Sequence, residues 1–165
     1  MKGLIDNLTY LLTGYLPANV IEQPCLPVTA IAGGLSLVLG WDRFPLLPLD
    51  KYPYLVVEPS GETWAPGRFG YEVEMKLTME IGYKVEGKSG ILYGDRRGAG
   101  ILETGTALRD WLRANEHLTV NGVPYTTGLV KYEETPTVGV TTENRKRIGE
   151  RYSGIVVTYK RIVPV

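Results

Sequence analysis

Three carboxylates, Glu72, Glu74 and Glu80, fall at even spacing in one segment, YEVEMKLTMEIGYKVEG. In an extended strand, residues two apart share a face, so these groups stand side by side. Paired carboxylates can act as general acid and base, but that chemistry needs an enclosing cleft. Here Lys76 and Lys84 interrupt the acids on the same face, which reads as the solvated side of a sheet. The single histidine, His117, follows Glu116, and the single cysteine is Cys25. A reactive thiol needs a base and an electropositive setting. His117 lies far along the chain, so Cys25 reads as a buried free thiol. One cysteine excludes an internal disulfide framework and a multi-cysteine zinc site.

Gly94-Asp95-Arg96-Arg97-Gly98-Ala99-Gly100 is glycine-rich. It lacks the Lys-Ser/Thr ending of a phosphate-cradling P-loop and the strand context of a dinucleotide fingerprint. There is no G-x-S-x-G elbow and no HExxH pair. Arg145, Lys146, Arg147 and Arg151 form a basic run, with Arg96 and Arg97 as companions. Glu143 and Glu150 dilute it, and Tyr152 is its one aromatic neighbour. A salt-bridging contact to another subunit fits this run at least as well as a nucleic acid. The residues therefore nominate no catalytic, cofactor-binding or metal site.

The remaining candidates are contact residues. Trp64 and Phe69 sit in SGETWAPGRFG, whose glycines and prolines predict a loop. Two large aromatics are unusual in a solvated loop. With Glu72, Glu74, Arg96, Arg97, Arg145 and Arg147 they make up the expected interface set.

The elements that must position these residues are set by periodicity. Tyr71, Val73, Met75, Leu77, Met79, Ile81, Tyr83 and Val85 alternate with polar residues, predicting one strand with an apolar and a charged face. It would run roughly 50 Å, several times the usual strand. A strand longer than its own core can continue into a hairpin arm or a sheet shared with another chain. Leu4, Ile5, Leu8, Leu11, Leu12 and Tyr15 form one face of a helix over residues 1–16, with Gly14 and Pro17 closing it. Eight of the eleven prolines lie between Pro17 and Pro66, which rules out long regular helix there and predicts a Pro-rich apolar connection over 17–51, with a short strand at Ser36–Leu39. A strand is expected from about Pro53 to Glu58. Leu108, Trp111 and Leu112 mark a second helix ending at Asn115, with Thr104 or Thr106 as its cap. Asn121-Gly122 predicts a hairpin, with Pro124 at a sheet edge. Residues 133–151 read as a polar loop or arm, and 152–165 as a terminal strand.

The chain of 165 residues, 44% hydrophobic and with eighteen basic against eighteen acidic residues, fits one domain, 1–165. Zero net charge argues against binding nucleic acid or a membrane surface by bulk electrostatics. Prolines and glycines break the uncharged stretch 23–41 and argue against a membrane span. The expected fold is α+β: a mostly antiparallel twisted sheet with one or two flanking helices and a Pro-rich N-terminal connection, the sheet and second helix occupying 52–132.

The element order, the ladder YEVEMKLTMEIGYKVEG, the helix ILETGTALRDWLRAN and the closing RYSGIVVTYKRIV resemble those of tail terminator (tail completion) proteins of long-tailed bacteriophages. The likeness runs from Tyr52 onward. It implies a structural virion protein, made in the host cytoplasm, that forms a hexameric ring. That ring caps the tail tube, ends polymerisation of the tube protein and docks on the head–tail connector or neck protein, with no enzymatic activity or cofactor. Alternatives are another neck or head-completion subunit, the tail tube protein, a small enzyme using Glu72, Glu74 and His117, and a nucleic-acid module using Arg96, Arg97, Arg145 and Arg147.

Overall fold

The computed structural model describes residues 1–14, 22–24, 36–38, 54–84, 101–120, 122–137 and 150–165. Cys25, Arg96, Arg97, Arg145 and Arg147, and most of the Pro-rich connection, lie outside them.

The elements are α1 (Lys2–Thr13), β1 (Glu22–Pro24), β2 (Ser36–Val38), β3 (Tyr54–Gly67), β4 (Gly70–Lys84), α2 (Ile101–Ala114), β5 (Thr119–Val120), β6 (Val123–Pro124), β7 (Gly128–Thr137) and β8 (Glu150–Val163). Among the described residues, six strands form one sheet in the order β1-β2-β3-β4-β8-β7, and β5-β6 is a separate hairpin; of these pairs only β2–β3 is parallel. The protein is thus α+β, a mostly antiparallel sheet with two helices.

β4 is the predicted alternating strand. Val73, Met75, Leu77, Met79 and Ile81 are buried, and the intervening Glu74, Lys76 and Thr78 are exposed. β8 pairs with it from Tyr71↔Val163 to Lys84↔Glu150 without a register shift. On the other side β3 pairs from Tyr54↔Gly82 to Gly67↔Gly70. Both backbone edges of β4 are therefore occupied by its own chain.

The pairing with β3 overturns the loop expected over Ser60–Gly70. Residues 60–67 are strand, and the chain reverses at Arg68-Phe69. Local composition misleads here because a long partner supplies the hydrogen bonds that the glycines and prolines do not encode. Beyond Val56, no described strand pairs with the other edge of β3, so Pro59 and Pro66 sit where a missing N–H is tolerated. The register shift between Pro59 and Gly61 absorbs one residue as a bulge. Gly70 has φ 135°, and a Cβ there would meet the Val163 carbonyl oxygen at 2.2 Å, so the turn requires glycine.

Two helices cover the apolar face. In α1, Leu4, Leu8 and Leu12 are buried, the i, i+4, i+8 stripe of one helix face. Thr9 and Thr13 are buried with them, and the Thr13 hydroxyl donates to the Thr9 carbonyl at 2.7 Å. Leu11, expected in the core, is instead exposed on the helix flank. Gly14 ends the helix in the left-handed conformation, φ 79°. In α2, Leu108 and Leu112 are buried and Trp111 packs beside them. The Asn115 N–H donates to the Trp111 carbonyl at 3.1 Å. The helix begins at Ile101, so Thr104 and Thr106 lie inside it rather than capping it. The strands also extend further than expected into the polar segment: residues 133–137 belong to β7, and β8 starts at Glu150.

Polar contacts fix the helices in place. Gly105 of α2 lies against Glu134 of β7, where an added Cβ would meet Oε1 at 1.9 Å. Glu134 accepts from the Ser153 hydroxyl at 3.1 Å, and the Tyr132 hydroxyl donates to the Gly105 carbonyl at 3.1 Å. At the other end of α2, the buried Thr126 hydroxyl accepts from the Leu118 N–H and donates to the Glu116 carbonyl, both at 2.7 Å.

Two outcomes follow for stability. Replacing a helix-interior glycine by alanine normally stabilises by up to about 1 kcal/mol. At Gly105 the added Cβ would push aside the end of the Glu134 side chain and its hydrogen bond from Ser153, so Gly105→Ala gives less than that gain in urea unfolding. Glu134→Ala in the same chain returns at least about 0.5 kcal/mol of coupling. Among the described residues the buried Tyr159 hydroxyl finds no hydrogen-bond partner, and burial pushes its pKa above the ordinary tyrosine value. Tyr159→Phe therefore raises stability by about 1 kcal/mol, since an unsatisfied buried donor carries an uncompensated desolvation penalty.

Candidate interaction surface at the hairpin tip

The helices do not cover the whole apolar face. The Met1 amino group at the start of α1 contacts Glu62, which lies opposite Met75. From Met75 to the turn at Phe69 the strand advances roughly 20 Å. Trp64 pairs opposite Val73, and Tyr71 lies two residues before Val73 on the same face. Both have passed the end of α1. Trp64 is 52% exposed, Tyr71 46% and Phe69, in the turn, 72%.

These aromatics are held in place. The rings of Trp64 and Tyr71 meet edge to face, with centroids 6.0 Å apart and planes at 62°. The Trp64 indole N–H donates to Glu62 at 3.2 Å. The Met1 amino group, and after it that indole, hold the Glu62 carboxyl below its ordinary pKa. The Arg68 guanidinium lies 5.4 Å from the Phe69 ring centroid, within cation–π range. At the base of the tip, Arg161 stacks 4.1 Å from the Tyr125 ring centroid, and Tyr125 lies against Gly3 of α1. Covering the exposed parts of the three tip rings would remove on the order of 300 Å² from water, about 7 kcal/mol gross before the costs of association. A patch of that size is often functional.

The charged face of the sheet is a different surface. Glu72 accepts from Lys160 of β8 at 2.7 Å. Glu74 is exposed beside a hollow of about 390 Å³ over the β3 bulge, lined also by Lys76, Lys131 and Thr158. His117 is exposed, with Nε2 3.4 Å from its neighbour Glu116. Glu72 and His117 thus have separate partners and do not converge. Among the described residues, no group of three His, Cys, Asp or Glu is placed to hold a metal, and no helix is long and apolar enough to cross a membrane.

Of the expected interface residues, the structure brings Trp64 and Phe69 to one tip and places Glu72 and Glu74 on the polar face. Sequence reasoning placed Tyr71 on the apolar face of the strand without naming it among the interface residues, and it missed Arg68. It also missed a cleft of about 480 Å³ beside α1, lined by Asp6, Tyr10, Leu11, Thr119 and Val120. Tyr10 is 56% exposed and Leu11 38%. The available signal was that both fall off the strict 4, 8, 12 stripe.

No protein-family model matches the chain, and no curated protein matches it in sequence.

The Lys160–Glu72 pair gives a test of the polar face. The carboxylate of Glu72 raises the Lys160 pKa above its ordinary 10.5. A raised folded-state pKa means the stabilising contribution is complete below pH 10.5 and is lost as pH rises through the elevated value. In thermal unfolding, Lys160→Met melts slightly below wild type at pH 8, and the gap narrows above pH 10.5. The exposure of the pair keeps the effect small.

Proposed function

We propose that this chain is a structural assembly subunit of the tail-terminator type: a virion protein that forms a ring on the end of a phage tail tube, stops tube polymerisation and offers a face to the neck. The observation that carries this reading is the aromatic tip. Trp64, Phe69 and Tyr71 project on a three-stranded arm past the helices that cover the rest of the apolar face. The arm is braced by an unshifted ladder, so the tip is pre-organised and little ordering entropy is lost on docking.

A ring needs two different surfaces on each subunit. Main-chain addition at the outer edge of β3 is disfavoured by Pro59, the bulge and Pro66, which blunt that edge as natural edge strands are blunted. Side-chain contacts at the tip are the better-supported route. The element order shared with tail terminators, the hexameric stoichiometry, the twist of the sheet and the Pro-rich connection over 17–51 belong to the same reading, which invokes no cofactor. The separate partners of Glu72 and His117 favour it over an acid–base enzyme.

Size-exclusion chromatography with light scattering, followed by negative-stain microscopy with purified tail tubes, tests the proposal. The expected result is a ring of six subunits, seated at tube ends. Trp64→Ser combined with Phe69→Ser gives a folded monomer that leaves tube ends bare, with a stability loss of about 1–2 kcal/mol from the Trp64–Tyr71 ring pair and the Trp64–Glu62 hydrogen bond. Self-polymerisation into long cylinders would assign the chain to the tube protein instead. A ring bound only on the capsid side would assign it to the connector. A monomer indifferent to tubes overturns the reading.

A further inference from the structure

Among the described residues, the tip and the α1 cleft are two surfaces left without a partner, of opposite shape and complementary charge. The tip is convex and carries the Phe69 and Trp64 rings with the Arg68 cation; among the described residues Arg68 touches no carboxylate. The cleft is concave, with Tyr10, Leu11 and Val120 on its walls and Asp6 on its rim. Among the described residues Asp6 pairs with Lys2, itself almost fully exposed, so that pair is open to exchange. The last turn of α1, which contributes Tyr10 and Leu11, holds no basic residue. Its carbonyl end therefore keeps the partial negative charge of a helix C-terminus.

We infer that the tip of one copy of this chain docks into the α1 cleft of a second copy. Phe69 and Trp64 enter between α1 and β5, and Arg68 lies toward Asp6 and the C-terminal end of α1. The cleft is open on one side, and its volume of about 480 Å³ leaves room for aromatic side chains to enter. The match of charge selects the occupant. A cationic, aromatic knob suits a negative, apolar cleft, and this chain carries such a knob on the same molecule. The braced strands that bear the tip keep it from folding back into its own cleft. The contact is therefore between copies and heterologous, using a different surface on each.

This inference rests on the proposed assembly role for its context, and a mixing experiment separates the two. Phe69→Ser removes the tip and leaves the cleft. Leu11→Glu spoils the cleft and leaves the tip. Trp64→Ser and Tyr10→Ser serve as independent second variants of each surface, and circular dichroism with thermal melting confirms that each is folded. Light scattering should show an oligomer for wild type and a monomer for each single variant. An equimolar mixture of a tip variant with a cleft variant should give a one-to-one dimer, because such a pair retains one intact contact. Arg68→Glu should weaken wild-type assembly at least tenfold, with a smaller effect at high salt. A cleft variant that assembles like wild type overturns the inference, as does a mixture that stays monomeric or a wild type that never self-associates. If copies assemble through tip and cleft yet leave tail tubes untouched, the docking stands and the terminator reading fails. If rings cap tubes and cleft variants still form them, the reverse holds.

Discussion

The two-faced backbone of β4 is the constraint on which the rest of the molecule depends. Its buried side chains at 73, 75, 77, 79 and 81 leave one acceptable register. A slip of one residue would turn all five to solvent and bring Glu74 and Lys76 into the core. β8 follows it without a shift, while the irregularities fall further out, in β3 at Pro59/Gly61 and in β7 at Leu129/Lys131. The centre of the sheet is therefore a straight reference, and the outer strands adjust to it.

The helices are placed by what that reference leaves open. Leu4, Leu8 and Leu12 of α1 and Leu108 and Leu112 of α2 pack on the same apolar face. Truncating any such leucine to alanine typically costs 2–5 kcal/mol. Steric and polar contacts then choose the positions: Gly3 under Tyr125, Gly105 under Glu134, and Thr126 bridging Leu118 and Glu116. Gly82 serves the same purpose on the opposite face, where the buried Tyr54 ring occupies the space a Cβ would need. These contacts hold elements at fixed heights along the strands, and that height leaves the tip bare.

The functional reading follows from a mismatch of lengths. A twelve-residue helix spans about 18 Å, and a fifteen-residue strand roughly 50 Å. Two short helices cannot cover a strand of that length from end to end. The overhang carries exposed aromatics beside the Arg68 cation, and it is stiffened by pairing on both sides of β4. Rigid projecting aromatics bind at low entropic cost, which supports the contact surface proposed there.

Alternation and helical spacing alone determined the apolar and charged faces of β4, an apolar face on α1 that includes Leu4, Leu8 and Leu12, the Leu108–Leu112 face of α2, and the reversal near Gly122, whose φ is 77°. Each of these is a local period set by backbone geometry, so a single segment contains all the information. Trp64 and Phe69 were also legible as out-of-place aromatics. The tertiary structure alone decided that Ser60–Gly67 is strand, because its hydrogen bonds come from β4 and not from its own composition. It alone decided that Tyr71 and Leu11 lie outside the core, because burial depends on where a helix from another part of the chain ends. It alone showed that the alternating strand is paired on both sides from Tyr71 to Gly82, by β3 and β8, which are distant from each other in sequence.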